Sequence, residues 1–191
     1  MAASFFSAFK APSRSGSAWF SVGLASSFPD ITESGSTAIS QRLPCKSSSV
    51  PGCKVFRVSR NDSSSATEVP LDDVQDPELG GLKDQVLVFQ YKGKFHAVNN
   101  ECPHASYPLS NGTPFDIEDF GINLSSGLTC PKHGWSFDLF RGNGDRGNYR
   151  LAVWEVQLRP VTSNTAIACT ESTSEDDPVE EVWVRRKQRM G

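Results

Sequence analysis

Two short segments of the sequence combine a cysteine with a histidine. The first is Cys102-Pro103-His104, and the second runs from Cys130 to His133. Their spacings are C-x-H and C-x-x-H, and 25 residues separate His104 from Cys130. Thiolates and imidazoles are common ligands of zinc and of iron–sulfur clusters. The four side chains are therefore a candidate metal-binding set, provided that the fold brings the two segments together.

The order of these ligands along the chain bears on which metal site they could form. In a zinc finger with two cysteines and two histidines, the cysteines form one pair and the histidines another, with the histidines on a helix. Here each segment supplies one of each type, and no helical pattern surrounds His133. The alternation suits a two-iron cluster in which one iron takes both cysteines and the other takes both histidines. A structural zinc site is the alternative interpretation.

The sequence around these ligands resembles the two cluster-binding loops of the Rieske [2Fe–2S] family. The run CPKHGWSFD, residues 130–138, is especially similar to the second loop of Rieske ferredoxins and ring-hydroxylating oxygenases, and weaker similarity extends over residues 18–187. The resemblance implies an all-β fold of stacked antiparallel sheets with the cluster at the tips of two loops. It also implies that Cys102 and Cys130 bind the inner iron, and that His104 and His133 bind the outer one.

The sequence departs from the family pattern at two places, the first loop and the spacer, and from the respiratory branch of the family at a third. The glycine that usually follows the first histidine is replaced by the run Ala105-Ser106. The respiratory branch of the family has an additional cysteine in each loop, where this chain has Tyr107 and Lys132, so we expect no disulfide between the loops. The spacer before Cys130 is also longer than in most ferredoxins of the family, and residues 113–126 are interpreted as an inserted surface loop.

The elements that position the loops are predicted to be short β-strands. Apolar runs that indicate strands occupy residues 18–24, 55–58, 86–89, 95–98, 151–161 and 182–184. Gly93 lies between two of them and supplies the positive φ that a tight hairpin turn requires. Many short strands separated by Gly, Pro, Ser and Asn predict a small all-β domain.

The domain prediction places one Rieske domain over residues 18–187. Residues 1–17 are rich in Ser, Ala and Phe and are interpreted as a disordered tail. Residues 162–181 carry a run of acidic side chains and are interpreted as a solvated loop inserted in the domain. A cytoplasmic location is expected. The tail resembles an organellar presequence, which leaves a mitochondrial location open, but its two basic residues make it a poor one.

Composition argues against two classes of partner. The 19 basic and 22 acidic residues give a net charge of −3, so the chain has no excess positive charge to attract nucleic acid. No apolar run approaches the roughly 18 residues of a membrane helix, so no membrane span is expected. A chain of 191 residues, of which 37% are hydrophobic, can bury a core without disulfides.

These observations predict a soluble one-electron carrier, a ferredoxin-like component of an oxidoreductase system with redox proteins as partners. A complete Rieske oxygenase needs a second iron held by two histidines and a carboxylate, and only His96 remains beyond the cluster ligands. His96 itself is interpreted as a hydrogen-bonded structural residue. Two alternatives are an electron-entry subunit similar to the small subunit of NAD(P)H-dependent nitrite reductase, and a redox-silent or zinc-binding structural module.

Overall fold

The computed structural model describes residues 18–35, 37–45, 48–59, 65–76, 81–161 and 179–187. Helical structure in these ranges is limited to short 3-10 turns. The strands of the described residues are β1 (Phe20–Leu24), β2 (Asp30–Ile31), β3 (Arg42–Cys45), β4 (Ser48–Pro51), β5 (Cys53–Val58), β6 (Ala66–Val69), β7 (Gln85–Tyr91), β8 (Lys94–Asn99), β9 (Thr113–Asp119), β10 (Ile122–Cys130), β11 (Trp135–Asp138), β12 (Trp154–Pro160) and β13 (Glu180–Arg186). The prediction of an all-β fold is confirmed.

The strands form three main sheets and a small hairpin. The central sheet has five strands, in which β7 pairs with β5 and β8, β5 pairs with β6, and β2 runs parallel to the end of β7. A second sheet has the order β1-β13-β12, a third has the order β11-β10-β9, and β3 pairs with β4. All strand pairs except β2–β7 are antiparallel.

Strand β7 explains why the central sheet is the middle layer. Its side chains alternate between two apolar clusters, with Val86 and Val88 on one face and Leu87 and Phe89 on the other. All four are fully buried. Because successive residues of a strand point to opposite faces, this continuous apolar run requires a covering layer on both sides.

The sheet β1-β13-β12 supplies one of these layers. Its inward side chains include Phe20, Trp154, Val182 and Val184, which join the cluster around Val86 and Val88. The rings of Phe20 and Trp154 meet edge to face at 6.1 Å. Each apolar side chain of this size stabilises the fold by about 1.5–3 kcal/mol when fully buried, so this interface contributes strongly to stability.

The opposite face of the central sheet carries the two candidate loops. Leu109, Leu128 and Phe137 pack there in the cluster around Leu87 and Phe89, and Cys102 and Cys130 belong to the same cluster. The hairpin β7–β8 leads into the first loop at the end of β8. At its other end it turns through Lys92 (φ 48°) and Gly93 (φ 75°), which confirms the predicted turn. The core face of the central sheet thus supports the cysteine ends of both loops.

Residues 113–126 form most of a long β-hairpin, so their interpretation as an inserted surface loop is wrong. Strands β9 and β10 pair from Thr113 opposite Thr129 to Asp119 opposite Ile122. The inner part of the hairpin is buried or half-buried, and its tip is exposed. Phe115 and Ile117 alternate with Asp116 and Glu118 as in a strand with one polar face, but the acidic composition is that of a loop.

One predicted boundary also changes. The acidic loop was expected to extend to residue 181, but Glu180 and Glu181 already belong to β13, where they face Pro160 and Arg159. The remainder of that acidic segment, residues 162–178, and the predicted tail, residues 1–17, lie outside the described residues. Among the described residues, no helix has the length and apolarity needed to cross a bilayer.

Candidate metal centre

The first loop begins where β8 ends, above a buried polar network. The Asn100 side chain donates a hydrogen bond to Oε1 of Gln85 (3.0 Å), and its Oδ1 accepts one from the backbone N–H of Ser110 (2.8 Å). Gln85 Nε2 donates in turn to the carbonyl of Val74 (2.9 Å). Because Gln85 and Asn100 are fully buried, satisfying their polar groups fixes both ends of the loop relative to β7.

The loop itself is closed by backbone hydrogen bonds around Cys102. The Cys102 N–H donates to the carbonyl of Tyr107 (2.9 Å), and the Ser106 N–H donates to the carbonyl of Cys102 (2.9 Å). Ser106 adopts φ 45°, in the left-handed region that glycine favours. This residue lies two positions after His104, so a serine adopts a left-handed conformation in the part of the loop that lacks the expected glycine.

The second loop is the turn of the hairpin β10–β11. Cys130 pairs with Trp135, and the four residues between them make the turn, which is closed by a hydrogen bond from the Gly134 N–H to the Cys130 carbonyl (3.0 Å). Gly134 has φ 67°. These four residues are exposed, whereas Cys130 is only 1% exposed. The loop therefore projects from the surface with its cysteine at the buried base.

The two cysteines meet at the buried end of the centre. Cys102 and Cys130 are both buried and are not part of a disulfide, and their thiols are in hydrogen-bond contact. Burial raises the pKa of the Cys130 thiol to about 11, and the neighbouring Cys102 thiol adds to this effect. The backbone N–H groups of Lys132 and His133 donate to the Cys130 sulfur and oppose the rise. These donors point at the sulfur as they would to stabilise a thiolate.

The two histidines meet at the outer end. The ring centres of His104 and His133 are 5.1 Å apart, with 73° between the ring planes. His104 stacks on Trp135 at 4.2 Å and 14° and meets the edge of Tyr149 at 5.4 Å. His104 is therefore enclosed on several sides, whereas His133 is exposed at the tip of its loop.

A third loop, residues 141–150, packs against this outer end. Arg146 donates to the carbonyl of Gly134 (3.1 Å), and its guanidinium lies 5.4 Å from the ring centre of Trp135. Asp145 accepts a hydrogen bond from the Ser136 N–H (3.2 Å) and pairs with Arg146 (3.0 Å). The third loop thus fixes the turn of the second loop and places Tyr149 beside His104.

Tyr107 and Lys132, which stand where the respiratory branch has its two additional cysteines, are also neighbours. Lys132 Nζ lies 5.7 Å from the ring centre of Tyr107. A cation–π contact of this kind contributes about 0.5–1 kcal/mol at an exposed site. It therefore links the two loops weakly, at the place where a covalent bond would link them in the respiratory branch.

Residues 59–153, about half of the chain, match the family model described as the Rieske [2Fe–2S] domain. This chain belongs to the Rieske family. The matched range contains both candidate loops and the third loop. Membership of this family implies a single [2Fe–2S] cluster as the cofactor.

Two curated proteins are similar to this Rieske chain over shorter ranges. The ferredoxin component of an alkene monooxygenase system from Xanthobacter autotrophicus is 31% identical over 77 residues, which are 39% of this chain and 57% of that protein. A Rieske domain-containing protein from Homo sapiens is 37% identical over 60 residues, 31% of this chain and 35% of that protein. The match thus spans between a third and three fifths of the length of these relatives.

Two solved structures are also similar to this chain, at low sequence identity. A chain in the complex of reduced oxygenase and oxidised ferredoxin of carbazole 1,9a-dioxygenase is aligned over 91% of this chain and 97% of its own length, at 18% identity and a TM-score of 0.43. A protein from Mycobacterium tuberculosis, described as the small subunit of an NADH-dependent nitrite reductase, is aligned over 55% and 75%, at 19% identity and a TM-score of 0.37.

One buried atom tests whether the four residues fit the Rieske cluster. His104 Nδ1 is buried, and no hydrogen-bond partner for it exists among the described residues. A buried ring nitrogen without a partner is costly, and a metal ion can accept its lone pair. The four side chains are also arranged as a thiol pair and an imidazole pair. This arrangement fits a cofactor with two metal ions.

Several residues of the site were not identified from the sequence. Gln85 and Asn100 are polar residues within or beside strands, and nothing in their types indicates that they are buried beneath the first loop. Tyr149 follows a turn-rich run, and nothing in the sequence marks it as a neighbour of His104. The remaining histidine also differs from expectation: His96 Nε2 is buried without a hydrogen-bond partner among the described residues, so the prediction of a hydrogen-bonded histidine is wrong at that nitrogen.

Proposed function

We propose that this chain is a one-electron carrier that binds a Rieske-type [2Fe–2S] cluster through Cys102, His104, Cys130 and His133. The observation that carries the proposal is the pairing of like residues from two different loops. The cysteines lie together at the buried end, and the histidines lie together at the outer end. This is the distribution that one iron with two thiolates and another with two imidazoles require.

The buried end is suited to hold negative charge on sulfur. Cys102 and Cys130 lie in the apolar core, where an isolated thiolate is unfavourable, and the N–H groups of Lys132 and His133 provide compensating dipoles. Such donors to sulfur are among the features by which a protein adjusts the properties of an iron–sulfur centre.

The outer end is suited to electron exchange with another protein. Trp135 stacks on one face of the His104 ring and Tyr149 meets the ring at a steep angle, so His104 is held in place, while His133 is exposed. When bound, the cluster would accept and release one electron, and its histidine ligands would give it a higher potential than an all-cysteine cluster. An electron would therefore leave through the His133 side, where a partner can approach most closely.

Two redox proteins, a donor and an acceptor, are the partners that a carrier of this kind requires. The ferredoxin component from Xanthobacter belongs to a monooxygenase system, which supports a reductase as donor and a terminal oxidoreductase as acceptor. The same centre could serve an electron-entry subunit of a larger reductase. Stable co-purification with a flavin- or haem-containing subunit would assign the chain to that second role.

We also propose a reduction potential in the lower part of the Rieske range of about −150 to +300 mV. The respiratory branch places a serine and a tyrosine hydroxyl two and four residues after the second histidine, where this chain has Trp135 and Phe137. Neither side chain carries a hydroxyl group to stabilise the reduced sulfurs. Protein-film voltammetry would measure this, and a midpoint near the top of the range would contradict it.

The decisive experiment is metal analysis and EPR spectroscopy on protein purified without oxygen. We expect about two irons per chain, no zinc, and a Rieske-type signal on reduction. His133→Ala should abolish that signal. His96→Phe removes the one histidine outside the ligand set and should leave the signal unchanged. Zinc in place of iron, or an unchanged spectrum in His133→Ala, would show that the proposed cofactor or ligand set is wrong.

A further inference from the structure

A cavity of about 570 Å³ is lined by four cationic side chains that come from separate parts of the chain. Arg141 and Arg150 stand at the two ends of the third loop, whereas Arg186 and Lys187 lie at the end of β13. These positions are up to 46 residues apart in sequence. Their convergence is therefore produced by the fold, not by a local run of basic residues.

The floor of this cavity is held rigidly. Trp154 Nε1 donates a hydrogen bond to Oδ1 of Asn99 (2.7 Å), and the Asn99 N–H donates to the carbonyl of Ala152 (2.9 Å). The Arg186 guanidinium lies 4.8 Å from the ring centre of Trp154. This contact holds Arg186 against the floor, because a guanidinium stacks well on an aromatic face.

The charge of the cavity is unbalanced. None of the described residues that line it is acidic, although the whole chain has more acidic than basic residues. The neighbouring Arg185 is different, because it forms an ion pair with Glu155 (2.6 Å). Arg141 lies near Asp138, which itself accepts hydrogen bonds from the backbone N–H groups of Phe140 and Arg141. Four like charges around one concavity repel one another, and a bound anion would remove that repulsion.

The volume of the cavity indicates the size of the anion that it could bind. Its volume lies in the range of about 300–1,000 Å³ that is typical of small-molecule sites. Guanidinium groups match phosphate and carboxylate groups with two parallel hydrogen bonds. We propose that this cavity binds a compact small molecule with several negative charges, either a di- or triphosphate or a polycarboxylate. The site is separate from the cluster ligands, so it does not depend on the proposed electron-transfer function.

The proposal can be tested by isothermal titration calorimetry on the full chain as purified. The probes are inorganic pyrophosphate and tricarballylate at constant ionic strength, which represent the phosphate and the carboxylate source. Binding of pyrophosphate alone would identify phosphate as the recognised group, and binding of tricarballylate alone would identify carboxylate. Similar binding of both would show recognition of compact negative charge. Each of these results supports the proposal, and the absence of heat from both probes would overturn it.

Three variants locate the binding. Arg186→Gln and Arg150→Gln should each weaken the affinity by about tenfold or more, because each removes a charge-assisted pair of hydrogen bonds. Arg185→Gln is the matched control; it removes the same charge from the next residue of β13 and should change the affinity by less than about twofold. Arg150 is exposed, so its replacement tests the site even if Arg186→Gln disturbs the packing of Trp154.

Two further results would contradict the proposal. Equal affinity in Arg150→Gln and in the unchanged protein would place the anion elsewhere, including at any exposed iron. A peptide of six glutamates offers a similar charge on an extended chain. If this peptide bound and both compact probes did not, the cavity would instead be a surface for an acidic segment of another protein.

Discussion

The two candidate loops carry the same pair of residue types but are supported differently. The first loop is tied to the core by Asn100 and Gln85, and its histidine is enclosed by Trp135 and Tyr149. The second loop is a hairpin turn whose only deeply buried residue is Cys130 at its base, and its histidine is exposed. Both loops bury their cysteine, whereas only the first loop encloses its histidine.

Two candidate ligands of one centre can therefore differ in how much they contribute to the packing of the protein. His104 is both a candidate ligand and a packing residue, so its ring contributes to the order of the outer end. His133 has little packing to contribute, and its exposure provides access for a partner.

The largest effect concerns His96, which lies on the strand that leads into the first loop. Its pKa is lowered from 6.5 to about 4, chiefly by burial and further by the charge of Lys94, while Asp138 opposes the shift. The unfolded chain therefore binds a proton below about pH 6.5 that the folded chain does not bind until about pH 4. The contribution of His96 to stability is complete above pH 6.5 and is lost progressively as the pH falls to 4.

We expect this loss to reach about 3 kcal/mol, since each pKa unit corresponds to about 1.4 kcal/mol. The measurement is urea unfolding of the unchanged protein and of His96→Phe at pH 7.5 and 4.5. Phenylalanine fits between Phe89 and Phe140, which already contact the His96 ring, and cannot bind a proton. If both proteins lost the same stability on acidification, His96 would not be the group responsible.

The second prediction concerns Gly112, where the supports of the two loops touch. A Cβ at this position would lie 2.9 Å from the backbone oxygens of both Leu109 and Thr129. Because these are backbone atoms on either side, Gly112→Ala should lower the free energy of unfolding by about 1–3 kcal/mol and should separate the cysteines enough to reduce iron content. Gly81→Ala is the control, since its Cβ would meet no atom within 4 Å. Full iron loading in Gly112→Ala would show that the loops tolerate this separation.

The third prediction compares the two histidines directly. His104→Ala and His133→Ala each remove one imidazole ligand, so both should lose the Rieske signal. His104→Ala should in addition be less stable by about 1–2 kcal/mol, because it also loses the stack on Trp135 and the contact with Tyr149. Chemical unfolding of the two cluster-free variants measures this difference. Equal stabilities would mean that the enclosure of His104 contributes nothing beyond its role as a ligand.

The smallest effects concern the backbone of each turn. Ser106 and Gly134 both have positive φ, 45° and 67° respectively, but only one of them is glycine. Ser106→Gly should raise stability by about 0.5–1 kcal/mol, and Gly134→Ala should lower it by about 1 kcal/mol because a side chain there is strained even in open space. Thermal unfolding measures both changes. A destabilised Ser106→Gly would show that the serine side chain stabilises the first loop in another way.

The sequence alone was sufficient to identify the four candidate ligands, because metal chemistry restricts both the residue types and their spacing. It also predicted the β7–β8 hairpin, whose Gly93 allows a turn that few other residues permit. It did not predict the β9–β10 hairpin, because Asp116, Glu118 and Asp119 give this segment the acidic composition of a loop, although Phe115 and Ile117 alternate with them as in a strand.

The contacts that determine the environment of the site are mostly non-local, and this explains what the sequence could not reveal. The stack of His104 on Trp135 joins residues from different loops, and the hydrogen bond between Asn100 and Gln85 joins different strands. Polar residues such as these resemble surface residues until the fold supplies their partners. The cationic cavity is a further example, because Arg141 and Arg186 become neighbours only when β13 is in place.

The pairing of β1 with β13 has a consequence for how the chain folds. Phe20 pairs with Val184 across more than 160 residues of intervening sequence. Closing so long a stretch of chain carries a large entropic penalty and makes folding slow relative to domains with mainly local contacts. During synthesis, the apolar side chains of β1 must wait for a partner strand that leaves the ribosome much later. Until then Val86 and Val88 lack much of their cover, and the nascent chain depends on chaperones or on speed to avoid aggregation.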